Sequence, residues 1–282
     1  MLRSCRLFLI YVIYGLLSGG LAWGADAGKP DLSGLLARLG ESKAGAALLA
    51  DARKFWSDDD PKQPLAAHFR WGSVSRTDAV LIREFDPATD QESRRRDVVV
   101  YVRENQPQED LLLDIAHELV HATTRPDWDP YDPQLTAGRY IENAIEGPGG
   151  EVEAVRRECQ VGLELSLRAA ERRCGGYLSS SADEASKRER IKRDFYRVGR
   201  WRSQIAKQLG EDAKLFPELS SKAVVLYSST GHAPYPVALM NEFSALNRIA
   251  CENMRKRQQA SEASRSPASD RIQRFLSMRC GD

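Results

Sequence analysis

The stretch LLLDIAHELVHATTRPDW, residues 111–128, decides the fold and raises the question of function. Its apolar residues recur at helical spacing until a proline breaks the pattern, which predicts a largely buried helix. His117, Glu118 and His121 then lie on one side of that helix. Imidazoles and carboxylates that are buried without partners are energetically unfavourable. The polar side of this helix therefore predicts a bound ion.

Two imidazoles one helical turn apart can point at a single metal, and zinc is well suited to such nitrogen ligands. His117 and His121 are therefore predicted to be zinc ligands. Glu118 is then placed to accept a proton from a water molecule that the metal activates. The alternative is a surface helix whose polar side faces solvent, which an apolar helix of this kind disfavours.

HELVH, residues 117–121, matches the motif HExxH, and on this motif the chain resembles the zinc metallopeptidases called zincins. The resemblance covers roughly residues 66–160. It implies an α+β, zincin-like fold, with a small antiparallel-edged sheet followed by the HExxH helix and a predominantly helical C-terminal half. It also implies hydrolysis of peptide bonds with Glu118 as general base. We therefore expect a Zn²⁺ cofactor and a peptide or protein substrate.

A catalytic zinc has three protein ligands and one open position. The histidine with which metzincins continue the motif does not follow here, so the chain resembles the gluzincins, whose third ligand is a glutamate. Glu153 is the favoured candidate, because it lies early on a predicted helix and precedes an alanine, as in several gluzincin families. Glu142 and Glu151 are the alternatives. The long segment from His121 to Glu153 is similar to that of effector-type and clostridial-neurotoxin-like zinc proteases, although Arg157 departs from the acidic residue of thermolysin-like enzymes.

The loop STGHAPYPV, residues 229–237, contains His232 and Tyr235. Zincins often supply from such a downstream loop the donor that stabilises the developing oxyanion. The resemblance therefore implies a catalytic role for His232 or Tyr235, and a structural turn with a buried tyrosine is the alternative. His68 is expected to be an ordinary strand or surface histidine.

The substrate cleft has two predicted walls. The strand VVVYV, residues 98–102, is expected to form the sheet edge along which an extended peptide pairs. The segment RPDWDPYDPQ, residues 125–134, is expected to form another wall of the cleft.

The N-terminus has two arginines, an uncharged apolar run and small residues at its end, which predicts a signal peptide over residues 1–24. An uncleaved anchor is the alternative, and both interpretations place the rest of the chain outside the cytoplasm, in the periplasm or secreted. We expect an N-terminal helical segment over residues 25–65, a zincin-like catalytic core over 66–175 and a helical region over 176–282 packed on that core. No membrane span is expected after signal removal.

The net charge of +1 argues against a nucleic-acid-binding protein. The basic segment 187–209 has apolar residues at helical spacing, which predicts an amphipathic helix whose arginines face solvent. The oligomeric state stays open. The alternative to an enzyme is a non-catalytic exported binding or interaction protein, helical and stapled by zinc.

Four cysteines outside the signal peptide predict two disulfides in an oxidising compartment. The segment that contains Cys159 and Cys174 is predicted to be one helix, which would hold these residues roughly 22 Å apart. A disulfide requires Cα atoms within about 7 Å. Pairing outward to a later antiparallel helix therefore favours Cys159–Cys251 and Cys174–Cys280.

Overall fold

The computed structural model describes residues 6–7, 30–57, 63–86, 91–177, 183–229, 232–263 and 270–281. Apart from residues 6 and 7, the predicted signal peptide lies outside this part of the chain. The strands are β1 (Arg6–Leu7), β2 (Phe69–Gly72), β3 (Arg76–Asp86) and β4 (Gln91–Arg103). The α-helices are α1 (Leu32–Leu39), α2 (Lys43–Ser57), α3 (Gln108–Thr123), α4 (Ala137–Glu146), α5 (Glu151–Glu164), α6 (Arg168–Cys174), α7 (Glu184–Phe195), α8 (Arg202–Leu209), α9 (Tyr235–Ala263) and α10 (Asp270–Phe275). The prediction of an α+β chain is confirmed.

The sheet has the order β1-β3-β4-β2, with β3 antiparallel and β2 parallel to β4. The strand VVVYV in β4 is therefore central, and the prediction that it forms the edge is wrong. One edge is β2, and β3 is open along the part before Arg83 within the described residues, because β1 pairs only with Arg83 and Glu84. Two flanking strands are compatible with β4 because Val98, Val100 and Val102 all lie in the core.

Helix α3 packs under the sheet as the buried helix that its apolar pattern predicts. Leu112, Leu113, Ile115, Ala116 and Leu119 have no exposed surface. A fully buried leucine or isoleucine contributes about 1.5–3 kcal/mol relative to an exposed one. Because its neighbours are in contact with α3 on several sides, the polar residues of this helix have fixed positions.

The C-terminal end of α3 is held by Arg96 of β4. Its guanidinium donates to the main-chain oxygens of His121 at 3.3 Å and Thr124 at 3.2 Å. These carbonyls have no partner within the helix, and a cation also complements the negative end of the helix dipole. The contact fixes the turn of α3 that carries the second histidine.

The segment expected to form one helix around Cys159 and Cys174 is two helices, α5 and α6. The break falls at residues 165–167, where Ser166 has a φ of 55° and the N–H of Leu167 donates to the carbonyl of Gly162. The apolar sequence continues through this break, which is why the periodicity predicted a single helix.

The chain reversal brings Cys159 and Cys174 together, with Cα atoms 5.6 Å apart, and they form a disulfide. The second disulfide joins Cys251 to Cys280. The number of disulfides was predicted correctly, but the favoured pairings Cys159–Cys251 and Cys174–Cys280 are wrong. They depended on a straight helix, and the turn after α5 removes the distance that excluded the local pairing.

The basic segment 187–209 forms α7, a 3₁₀ turn and α8 rather than one helix. Ile191, Phe195 and Ile205 are buried while most of its arginines are exposed, so the predicted solvent-facing basic side is confirmed. Within the described ranges, none of the helices has both the length and the apolar character needed to cross a bilayer.

Gly162 allows α5 and α6 to approach closely. A Cβ at this position would lie 2.4 Å from Cβ of Ala170 and 3.0 Å from Cδ2 of Leu113. We predict that Gly162→Ala lowers the free energy of unfolding by about 1–3 kcal/mol, because the packed helices must separate. Gly176→Ala is the control, since nothing lies within 4 Å of its added Cβ. Urea denaturation measures both, and equal stabilities would contradict the prediction.

Candidate metal centre

The two histidines of α3 lie one turn apart and face the same space. Their ring centroids are 4.9 Å apart, with the planes inclined at 68°. His117 and His121 are both partly buried, so neither ring is freely solvated. On the predicted polar side of α3, the two rings therefore point into a shared, largely enclosed site.

Each ring is fixed through its Nδ1 atom by a different acceptor. The Nδ1 of His117 lies 3.0 Å from Oε2 of Glu158, and the Nδ1 of His121 lies 2.8 Å from the carbonyl oxygen of Gly149. A carbonyl or a carboxylate only accepts, so the proton of each neutral ring lies on Nδ1. Each Nε2 then presents a lone pair, the arrangement found in metal-binding histidines.

The carboxylate of Glu151 completes the cluster from the first residue of α5. Its Oε2 lies 3.2 Å from Nε2 of His117, and its Oε1 lies 3.7 Å from Nε2 of His121. Oε2 is buried and accepts no hydrogen bond of normal geometry. With each ring neutral and its proton on Nδ1, lone pairs of nitrogen and oxygen face each other, and either a metal ion or a second proton on His117 would relieve this repulsion.

Ligand atoms of His117, His121 and Glu151 all lie within 4.8 Å of one another. Two imidazole nitrogens and one carboxylate oxygen are a donor set that suits zinc. The buried Glu151 oxygen without a hydrogen bond is the observation that fits a metal ion best, because coordination would satisfy it.

The electrostatics of the cluster reflect the same need for positive charge. Burial alone lowers the pKa of His117, but the carboxylates of Glu151 and Glu158 outweigh it, and the pKa lies well above the ordinary value. Burial raises the pKa of Glu151, but the charges of His121 and His117 outweigh it and lower the pKa below its usual range. The pocket thus favours a cation, either a proton on His117 or a metal.

Glu118 lies beside the cluster and is 7% exposed. The hydroxyl of Thr77 is 2.8 Å from its Oε2, on the strand β3. Burial raises the pKa of Glu118, and the charges of His117 and His121 oppose the rise without cancelling it. A carboxylate with a raised pKa is a better proton acceptor than one in water.

Tyr235 begins α9, and its hydroxyl interacts with the carboxylate of Glu151. Burial, Glu151 and Glu118 together raise the pKa of Tyr235 well above its usual value, so the phenol is neutral and donates a hydrogen bond. Tyr235, His117 and Glu118 line one cavity of about 400 Å³. The tyrosine is therefore in the position expected of a catalytic donor.

Two further segments line the cavity. Val74 and Ser75, just before β3, line part of it, and Leu226 and Tyr227 line another part. The segment 125–134 was expected to line the cleft, but it is structural. Its Trp128 packs edge-on against Tyr140 at 4.9 Å, and neither residue lines the cavity.

Glu153, the favoured third ligand, does not lie in the cluster. It pairs with Arg156 and Arg157, at 3.5 Å and 3.7 Å. Two residues along a helix correspond to about 200°, so Glu151 and Glu153 face nearly opposite sides of α5. The structure therefore brings Glu151, one of the two alternatives, to the two histidines, and not the favoured Glu153.

The remaining sequence candidates lie outside the cluster. Glu142, on α4, has no contact with the two histidines among the described residues. His232 is exposed and does not line the cavity, so of the two loop candidates only Tyr235 reaches the site. His68 stacks on Trp56 with ring centroids 4.5 Å apart, in agreement with an ordinary structural histidine.

Sequence reasoning did not identify Glu158 or Gly149. Glu158 lies seven residues after Glu151 on the same side of α5, and an acidic pair at this spacing on an apolar side was a usable signal. Gly149 has a φ of +67°, and a Cβ there would lie 2.3 Å from Cβ of Thr124. The GPGG sequence indicated a turn, but not that its carbonyl would orient a histidine.

Comparison with protein families, with curated proteins and with solved structures finds no match to this chain.

We predict that Gly149→Ala weakens zinc binding by about 10- to 100-fold, the usual loss when an outer-shell partner of a metal ligand is displaced. The added methyl group collides with Thr124 and moves the carbonyl that holds His121. Gly210→Ala is the matched control, because Gly210 also has a positive φ, +56°, but no atom within 4 Å of its added Cβ. Competition with a chromophoric chelator measures both affinities. Equal affinities would show that the Gly149 carbonyl does not orient the ring.

Proposed function

We propose that the chain is an exported zinc-dependent metallopeptidase of the gluzincin type, in which His117, His121 and Glu151 hold the metal. The convergence of two Nε2 lone pairs and a buried carboxylate oxygen on one point carries this proposal. The order of a small sheet, the HExxH helix and a later helix that carries the acid supports a zincin-like arrangement. The predicted signal peptide and the two disulfides support export.

The ligand set favours a catalytic over a structural zinc. A structural zinc is enclosed by four protein ligands, whereas a catalytic one retains a position for water. Among the described residues, no fourth histidine, cysteine or acid joins His117, His121 and Glu151. Glu118 is close to this cluster without being part of it, which is the place of a base rather than a ligand.

The reaction is hydrolysis of a peptide bond with Glu118 as general base. Zinc would supply a Lewis acid that polarises the substrate carbonyl and acidifies the attacking water. The Glu118 carboxylate takes the proton of that water and transfers it to the nitrogen of the leaving amine. Thr77 holds the carboxylate in place through its hydroxyl. The Tyr235 hydroxyl, which interacts with Glu151 in the free protein, turns to donate to the carbonyl oxygen as negative charge develops on it.

The substrate would lie extended in the cavity. Beside the cavity is the open edge of β3, whose first residues follow Val74 and Ser75. The segment 223–226, which ends at Leu226 of the cavity lining, is neither helix nor strand, and its main-chain groups make no hydrogen bond to other main-chain groups among the described residues. Main-chain donors and acceptors on these two segments suit recognition of a peptide by backbone pairing.

We predict that Glu118→Gln lowers cleavage by about 100- to 10,000-fold, because the amide cannot accept a proton. The amide has the size of the carboxylate and remains within reach of Thr77, so zinc binding is retained. Cleavage of an unbiased peptide library, followed by mass spectrometry with and without a chelator, measures the activity. A fully active Glu118→Gln variant would exclude this residue as the base, and zinc binding without cleavage by the natural chain would favour the non-catalytic alternative.

Two further variants test the assignment of the third metal ligand. Glu151→Gln should lose zinc, whereas Glu153→Gln, on the other side of the same helix, should keep it. Zinc content by elemental analysis distinguishes them. The reverse result would return the third position to Glu153.

We predict that Tyr235→Phe lowers kcat by about 100- to 1,000-fold, the usual effect of removing one oxyanion donor, with little change in KM. His232→Ala is the control from the same loop, and the exposure of His232 predicts unchanged kinetics. Steady-state kinetics on the best library peptide measures both. A large loss in His232→Ala with an active Tyr235→Phe would exchange the two roles.

A further inference from the structure

Each cysteine of the first disulfide directly follows a residue of a charged network. Cys159 follows Glu158 on α5, and Cys174 follows Arg173 on α6. Both sulfur-bearing residues are buried, at 3% and 0% exposure. The covalent bond therefore holds the main chain of the two charged residues at a fixed separation.

Glu158 uses both carboxylate oxygens. Oε2 accepts from Nδ1 of His117 at 3.0 Å, and Oε1 accepts from Nε of Arg173 at 2.8 Å. The glutamate is 4% exposed, so its charge depends on these two partners. If Arg173 is displaced, an uncompensated carboxylate remains beside the histidine, and its orientation is no longer determined.

Arg173 also joins Glu158 to α3 by a second route. Its guanidinium lies 2.7 Å from Oδ1 of Asp114, and Gln106 and Ser75 also donate to this aspartate. Asp114 is one turn before His117 on the same side of α3. The arginine thus connects the helix that carries the histidines to the helix that carries Glu151.

The first residues of α6 are held by the packing of Ala170 against Gly162 and by the carboxylate of Glu109, which accepts from the N–H of Ala169, whereas Arg173 lies at the other end of the helix. Helix α6 has seven residues and follows the turn at residues 165–167, and a helix of this length is not stable by itself. Arg173 lies in its last turn, next to the cysteine. The disulfide is therefore the covalent constraint on the end of α6 from which the guanidinium extends.

We propose that the Cys159–Cys174 disulfide and Arg173 together position Glu158 against His117, so that the metal affinity of the site depends on this bond. Arg173 is a positioning residue, because it acts on the metal site through Glu158. The inference rests on the proposed metal site, but it does not depend on peptidase activity.

The two disulfides provide a matched experiment on the full mature chain with Zn²⁺ alone. Cys159→Ala/Cys174→Ala should weaken zinc binding by about 10- to 100-fold in chelator competition. Cys251→Ala/Cys280→Ala removes the disulfide in the cluster of α9 and α10 and should lower Tm without changing the affinity. Equal losses of affinity in the two variants would overturn the proposal, because the effect would then be general destabilisation.

Arg173 variants separate positioning from folding, because they keep both disulfides. Arg173→Met retains much of the aliphatic stem and should weaken zinc binding and shift the d–d absorption bands of the Co²⁺-substituted protein. Arg173→Lys restores a charge near Glu158 and should recover part of both. Unchanged affinity and bands in Arg173→Met would overturn the proposal. A natural chain that binds no zinc would overturn the metal site itself, whereas zinc binding without hydrolysis would remove only the peptidase function.

Discussion

The structure around α3 depends on the buried carboxylate of Glu151, which faces the Nε2 atoms of His117 and His121 and needs positive charge beside it. Both imidazoles are fixed with their protons on Nδ1, so two Nε2 lone pairs point at the carboxylate of Glu151 in a buried site. Burying a carboxylate without a partner costs several kcal/mol, and facing it with further acceptors increases the cost. A fold that holds these groups so firmly is organised around a positive charge at their centre. The carboxylates of Glu151 and Glu158 raise the pKa of His117 well above its ordinary value for the same reason.

Three of the groups that define this centre come from one short segment. Gly149 orients His121, Glu151 faces both rings, and Glu158 orients His117. The segment turns at Gly149, where a positive φ brings the main chain against Thr124 at the end of α3. Because α5 begins immediately after this turn, one contact sets both the start of the helix and the side that it presents to the histidines. The site is therefore formed by the way α5 docks on α3 rather than by independent loops.

The histidine pair and Glu118 were predictable because helical periodicity alone places them together. The third carboxylate was not, because its identity depends on the direction in which α5 faces. Glu151 and Glu153 differ by two residues and by slightly more than half a turn, and nothing in the local sequence fixes that rotation. The predicted disulfide pairing was wrong for a related reason. The turn at Ser166 has a conformation that is uncommon for a serine, and the apolar pattern continues across it. Sequence periodicity determines which residues are buried. Tertiary contacts determine where a helix ends and in which direction each of its sides points.

The burial of Glu118 distinguishes the two functions that the ligands permit. A purely structural zinc would not need the Glu118 carboxylate, which is 7% exposed, lies beside the candidate metal site and is not one of its ligands. Such a group destabilises the folded chain, as the rise in its pKa by burial shows. Thr77 compensates for only part of this with one hydrogen bond, and the neutral Tyr235 phenol adds a donor in the same cavity. A proton acceptor, a donor and one histidine of the candidate metal site meet at one cavity, and this supports the proposal of hydrolysis over that of structural support, because only a reaction uses all three.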